Sequence, residues 1–209
     1  MFRHRTTWAI CAQSFFRAAA YIFYVTWMPA FLIYRFGVNE QTACTLSSWP
    51  VLLVVPGTII GGFLVDSLLR RTGKRSVSRS GLACTALTVA GLATLASAQA
   101  TTAGQFTQLM ALGSFFSGLA GPAVWAATID IAGKHTAVVM AVMNTAGCFI
   151  GFVTTYVGYM VGRIQKTNGD WNQVIYLHVA FFFAAAFWFL LVNPNDNVTK
   201  GAELAVTGD

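Results

Sequence analysis

The sequence predicts an all-α membrane protein of six transmembrane helices, on three observations. Of the 209 residues, 56% are apolar and only 10% charged, with a mean hydropathy of +0.62. A soluble domain carries about a quarter of its residues as charged side chains, so this chain lacks the polar atoms to cover a water-facing surface. Six apolar stretches stand between polar breaks, each near the roughly 20 residues that cross about 30 Å of hydrocarbon at 1.5 Å per residue. Lys and Arg also collect in alternate connections. Together these exclude a soluble enzyme and an intrinsically disordered chain.

The first span runs from about Trp8 to Tyr34. It contains Arg17 and Pro29 and is too long for the apolar region of a cleaved signal peptide, so it reads as a retained helix. The second covers Leu46 to Val65, the third Ser80 to Ala98, and the fourth Phe106 to Ile129. The fifth covers Thr136 to Val161 and the sixth Val174 to Val192. Connectors such as Arg35 to Thr45, Gln99 to Gln105 and Gly162 to Gln173 are short enough to join antiparallel neighbours. Residues 1–192 thus form the six-helix unit, and 193–209 read as a polar, disordered, cytoplasmic tail. Gly57 and Gly61, Gly147 and Gly151, and Gly158 and Gly162 stand four apart, which puts each pair on one face and lets another helix approach closely. Pro29, Pro50, Pro56 and Pro122 each remove a backbone donor within or near a span and mark kinks.

Positive residues are retained on the cytoplasmic side of a membrane. One set of connections holds nine of the thirteen: Arg3, Arg5, Arg70, Arg71, Lys74, Arg75, Arg79, Lys134 and Lys200. The other holds Arg35, Arg163 and Lys166, and Arg17 lies inside a span. Both termini are therefore expected in the cytoplasm of a multi-pass protein of a bacterial inner or plasma membrane. The net charge of +6 follows from topology, with no nucleic-acid partner.

Cys11, Cys44, Cys84 and Cys148 are too scattered to hold zinc or form a redox pair. His178, alone in the sixth span, is expected to bond within the bundle. No Ser/His/Asp set, phosphate-cradling loop or carboxylate pair is present, so neither enzyme activity nor a cofactor is expected.

Two charged constellations carry the functional reading. The first is Gly61-Gly62-Phe63-Leu64-Val65-Asp66-Ser67-Leu68-Leu69-Arg70-Arg71-Thr72-Gly73-Lys74-Arg75. Asp66 is expected to end the second helix, with Arg70 one turn away on the same face. By its residues alone this is either a charge network or a positive anchor with one solvated acid. The second is Arg17, nine residues into its span. An arginine near mid-membrane costs at least about 2.5–3.5 kcal/mol, so it should face a partner or a watery cavity. A permanent ion pair, backbone carbonyls and an anionic ligand all satisfy it. Asn144 in the fifth span either reads a ligand hydroxyl or carboxyl group or bonds a neighbouring helix.

The pattern G-G-x-x-x-D-x-x-x-R-R-T-G-x-R at 61–75 resembles the loop signature of the major facilitator superfamily, which follows the second helix of each six-helix half. That resemblance implies that Asp66, Arg70, Arg71 and Arg75 form a cytoplasmic charge network favouring one state of alternating access. Ser14-Phe15-Phe16-Arg17 through Tyr21, Tyr24, Trp27 and Pro29 is similar to the seventh helix of the anion:cation symporter branch, whose members bind organic anions, sugar acids and phosphate. It implies substrate binding by Arg17, whose forked donors match a carboxylate, with Tyr21 and Tyr24 beside it; many members have a tyrosine where this chain has Ile22. Asn144 through Gly151 resembles the eleventh helix, with Cys148 where a second asparagine often stands.

The resemblance covers residues 8–192 and matches helices seven to twelve, one half of the fold. It implies a secondary transporter for a small organic anion such as a sugar acid, coupled to H⁺ or Na⁺ and completed by a missing N-terminal six-helix half. The competing class is a complete six-helix membrane protein, either a homodimeric carrier or a non-transporting scaffold.

Overall fold

The structure, a computed structural model, describes residues 5–167 and 169–195, and nearly all of them are helical. The first helical run departs from the continuous helix expected over 8–34. Helix α1 (Arg5–Ile22) passes through a π-helical turn (Phe23–Trp27) into α2 (Met28–Phe36). Pro29 has no N–H for the Val25 carbonyl one turn back, and the widened turn falls on that gap. α2 ends on Gly37, left-handed at φ +65°, whose N–H closes on the Ile33 carbonyl at 3.0 Å.

Helix α3 (Glu40–Thr72) begins where the Asn39 side chain accepts from the Thr42 N–H at 2.8 Å, and it stops at Gly73, φ +64°. Its 33 residues make about 50 Å of helix, well beyond the expected 46–65. Asp66 therefore lies inside the helix, not at its end as the sequence suggested. A second π-helical turn (Val77–Gly81) leads into α4 (Leu82–Ser97). Thr102 accepts from the Gln105 N–H at 3.2 Å to open α5 (Ala103–Ala132).

Gly133 (φ +50°) starts a 3₁₀ turn (Gly133–His135), and α6 (Thr136–Cys148) follows. Thr128 before this turn and Met143 after it meet at 3.8 Å, hydroxyl to sulfur. Fifteen residues apart on an unbroken helix they would stand about 22 Å from one another, so the chain reverses here. A break at Phe149 separates α6 from α7 (Ile150–Thr167), interrupting the expected fifth span, and α8 (Asn172–Leu190) closes the order. Among the described residues, five helical runs are long and apolar enough to cross a membrane: Arg5–Phe36, Glu40–Thr72, Val77–Ser97, Ala103–Thr167 and Asn172–Leu190. The fourth has 65 residues and contains the reversal at Gly133.

α3 lies along α5 with their backbones nearly touching. A Cβ on Gly57 or Gly61 would collide with the Phe115 or Leu119 carbonyl, and one on Gly118 would stand 2.5 Å from the Val54 carbonyl oxygen. The close approach expected of the 57/61 pair is thus present, with α5 as its partner. Gly158 packs under the Trp27 ring, whereas Gly147, Gly151 and Gly162 have nothing within 4 Å. The core lies among α1, α2, α4, α5 and α8, where Phe31 stacks on Phe106 at 4.7 Å and Phe23, Tyr24, Leu87 and Phe182 are fully buried.

At one end of the bundle, Arg35 donates to the Asn172 side-chain oxygen and, at 3.0 Å, to the Ala98 carbonyl. Tyr34 stacks on Trp171 beside it at 5.5 Å. Three helix ends, those of α2, α4 and α8, are thereby tied together. At the other end the Ser80 hydroxyl donates to the Val192 carbonyl at 3.0 Å. The expected disordered tail falls, from 196 onward, outside the described residues.

Candidate functional site

Gln13, Arg17 and Tyr21 follow one another at intervals of four on α1, so they form one polar stripe on an otherwise apolar helix. Arg17 is half-buried in that stripe, its Nε shut off from solvent. Among the described residues no carboxylate or carbonyl accepts from it. A guanidinium offers five N–H donors and no acceptor. Held in apolar surroundings without a counter-charge, it attracts an anion far more strongly than it would in water.

Gln13, one turn earlier, is fully buried. Its oxygen accepts from the Ser14 hydroxyl at 3.3 Å, while its amide nitrogen has no acceptor among the described residues. Sequence reasoning missed this residue. The available signal was a long amide four residues from a mid-span arginine. The Trp27 indole N–H, over Gly158, also lacks an acceptor among the described residues. The region is thus rich in donors and short of acceptors.

Tyr21 adjoins Arg17, and its ring meets that of Tyr24 edge-on at 5.9 Å. Tyr24 itself points into the bundle. Thr94 gives its proton to the Ala90 carbonyl at 2.9 Å, which leaves its oxygen to accept from the Tyr24 phenol at 3.4 Å. A Cβ on Gly113 would lie 3.0 Å from that phenol oxygen, so glycine there makes room for the hydroxyl. The structure therefore brings Arg17 and Tyr21 together, with Tyr24 behind them and its hydroxyl already engaged. Asn144 is exposed on α6, which packs on α1. No hydrogen bond joins it to Arg17, Tyr21 or Tyr24 among the described residues. Cys148 is exposed one turn further along the same helix.

In the second constellation, Asp66, Arg70 and Arg71 line one cleft of about 470 Å³ with Phe63 and Ser67. Among the described residues Asp66 forms no ion pair with Arg70, Arg71 or Arg75, and all four are exposed. The ion pair at this end joins Arg79 Nε to Asp130 Oδ2 at 3.0 Å, with the side chains 8% and 18% exposed. Arg79 also donates to the Ser78 hydroxyl at 3.0 Å, and Ser78 donates to the Val65 carbonyl, next to Asp66. The buried pair thus joins the start of the third run to the end of α5 and reaches α3 through Ser78.

His178 bonds within its own helix as expected, its Nδ1 giving a proton to the Val174 carbonyl at 2.6 Å. Its Nε2 has no partner among the described residues, and the ring packs on Phe23 at 4.7 Å.

Comparison with known proteins bears on this arrangement. A family model described as Major Facilitator Superfamily matches residues 1–155. A probable sulfoacetate transporter of Cupriavidus necator is 26% identical over 196 residues, covering 91% of this chain and 44% of the relative. A hexuronate transporter of Bacillus subtilis is 30% identical over 159 residues, 70% of this chain and 37% of the relative. A probable galactarate/D-glucarate transporter of Escherichia coli is 27% identical over 172 residues, 81% of this chain and 37% of the relative. The chain spans less than half the length of these relatives.

Proposed function

Because the chain belongs to the major facilitator superfamily and is an integral multi-pass membrane protein, we propose that it forms helices seven to twelve of a secondary active transporter for a small organic anion. The observation that carries this reading is Arg17, a guanidinium in the middle of an apolar helix without an acceptor among the described residues. A structural arginine at that depth needs a fixed counter-charge, and the described residues supply none. A bound carboxylate supplies it in bidentate geometry. The relatives' named cargoes, sulfoacetate, hexuronate, galactarate and glucarate, all carry a carboxylate, and the same chemistry is assigned to this chain.

Six crossings follow if the 65-residue run is divided at Gly133, and the termini then lie on one side, the cytoplasm of a bacterial inner or plasma membrane. The remaining six helices come from an N-terminal half, and the coupling ion is H⁺ or Na⁺. Within the site, Arg17 binds the carboxylate and Tyr21 lies against it. Asn144 meets the substrate from α6 when the halves close, and Tyr24 sets the position of Tyr21. Asp66, Arg70, Arg71 and Arg75 are exposed in this structure. They pair across the halves in the state where the cytoplasmic side is shut.

The test is uptake of a labelled uronate or aldarate by vesicles containing the full-length protein. Arg17→Ala abolishes uptake at unchanged membrane abundance, and Arg17→Lys loses most of it, since one ammonium cannot reproduce the fork. Unchanged uptake in Arg17→Ala overturns the substrate role. Asp66→Asn shifts the balance of inward and outward states, and accessibility labelling with identical populations refutes the network.

A further inference from the structure

Two enclosed donors on α1, the amide nitrogen of Gln13 and Nε of Arg17, lack acceptors among the described residues. They are four residues apart, a spacing that places Cβ atoms about 5–6 Å from each other on one helix face. Side chains on a helix lean toward its N-terminus, so the Arg17 stem lies back toward Gln13. A buried donor left unpaired is unfavourable, and one movement removes both.

That movement is a half-turn of the Gln13 amide about its last side-chain bond, which exchanges oxygen and nitrogen without changing the shape of the group. The oxygen now accepts from the Ser14 hydroxyl at 3.3 Å, beyond the usual O–H···O limit of about 3.0 Å and nearer the N–H···O limit of about 3.2 Å. After the half-turn the nitrogen donates to the Ser14 oxygen, and the oxygen is presented to the Arg17 Nε–H. The Ser14 proton is then free for the Ile10 carbonyl four residues back, as the Ser47 proton goes to the Ala43 carbonyl at 2.7 Å. Nε is the Arg17 nitrogen enclosed without a partner, whereas the residue as a whole is half-buried. An acceptor at Nε therefore takes the N–H that a ligand cannot reach. It leaves the two terminal nitrogens, a planar pair that meets both oxygens of a carboxylate.

We propose that Gln13 is a positioning residue for the anion site, holding Nε of Arg17 through its amide oxygen so that the terminal nitrogens face the substrate. Gln13 is fully buried, so it acts through Arg17 and does not touch the anion. A neutral acceptor fixes the plane of the guanidinium and leaves its charge uncancelled, which a carboxylate in the same place would not do. The inference rests on the reading of Arg17 as the anion site, while the contact between the two side chains is testable apart from transport.

The test uses the full-length protein in nanodiscs and in uptake vesicles. Gln13→Glu puts a carboxylate where the amide stood, and in contact with Arg17 it forms an ion pair. It is expected to raise the melting temperature of the empty protein, to abolish stabilisation by a uronate, and to become destabilising when combined with Arg17→Met. A Gln13→Glu change that lowers the melting temperature equally with and without Arg17 overturns the contact. Gln13→Leu keeps the size of the side chain and removes the acceptor, and it decides the question if the glutamate variant does not assemble. It is expected to raise KM for uronate uptake about tenfold and to change the maximal rate less than twofold, because the charge remains and its aim is lost. A glutamine that only packs lowers the melting temperature on this change and leaves KM alone, and that result overturns the positioning role. Normal uptake in Arg17→Ala, by contrast, removes the anion-site reading itself, while the Gln13→Glu cycle still reports whether the two side chains touch.

Discussion

Replacing Arg17 with methionine separates a binding arginine from a structural one, because the two give opposite signs of stability change. Methionine keeps the unbranched stem and the helix preference and removes the charge. Insertion scales place an arginine at a helix centre about 2.5–3.5 kcal/mol above an apolar residue. Arg17 is half-buried and has no acceptor among the described residues, so part of that penalty persists in the folded, ligand-free protein. Arg17→Met is therefore expected to stabilise the empty protein by roughly 1–3 kcal/mol, a trade of activity for stability. For a full-length protein about twice the length of this chain, as its relatives are, each kcal/mol is about 1–2 °C in melting temperature. A saturating carboxylate, at 100 times its Kd, stabilises the wild type by about 2.7 kcal/mol and the variant not at all. The assay is thermal melting of the full-length protein in nanodiscs, with and without a uronate. If Arg17→Met melts below the wild type in the absence of anion, the arginine holds the bundle together and the argument for an anion site fails.

Other substitutions test the remaining geometry. Gly118→Ala puts a methyl 2.5 Å from the Val54 carbonyl and is expected to cost about 1–3 kcal/mol by overpacking, while Gly62→Ala, with nothing within 4 Å, is neutral in the same melting assay. Asp130→Asn leaves Arg79 largely buried without its counter-charge. It should cost about 1–3 kcal/mol, below the figure for a fully buried pair because Asp130 keeps some solvent, and a double-mutant cycle with Arg79→Met should show the coupling. Tyr24→Phe removes the hydrogen bond to Thr94, lowering stability by about 0.5–1.5 kcal/mol while retaining uptake; lost uptake would place its hydroxyl on the substrate. Cys148, exposed one turn from Asn144, should be protected by substrate from a polar maleimide, and exposed Cys44 should not.

The sequence made the spans legible because hydrocarbon as a solvent admits few polar atoms, and Arg17 stood out against that background for the same reason. Partners were harder to read. Gly57 and Gly61 have the same spacing as Gly147 and Gly151, yet only the first pair meets another backbone; spacing defines a face, and tertiary packing decides what it touches. The Arg79–Asp130 pair joins residues 51 apart in the chain. No local spacing announces it, whereas Asp66 and Arg70, one turn apart on one helix, form no ion pair among the described residues. The resemblance to the family's seventh helix puts Tyr24 beside Tyr21 at the substrate site. Its direction depended on the room above Gly113, which no local pattern encodes.

The wide turn at Phe23–Trp27 holds, in effect, one residue more than a regular helix would use, and one residue is about 100° of rotation. Everything beyond it is therefore dialled to a new azimuth. Were that turn wound as a regular α-helix with every residue kept, α2 would rotate and carry Arg35 away from Asn172 and the Ala98 carbonyl, and Tyr34 off Trp171, whereas deleting one residue there would leave that azimuth in place. The twelve-residue interval from Arg17 to Pro29 thus has two masters. Its near end carries the proposed anion site, while its length is set by the clasp at the far end of the bundle.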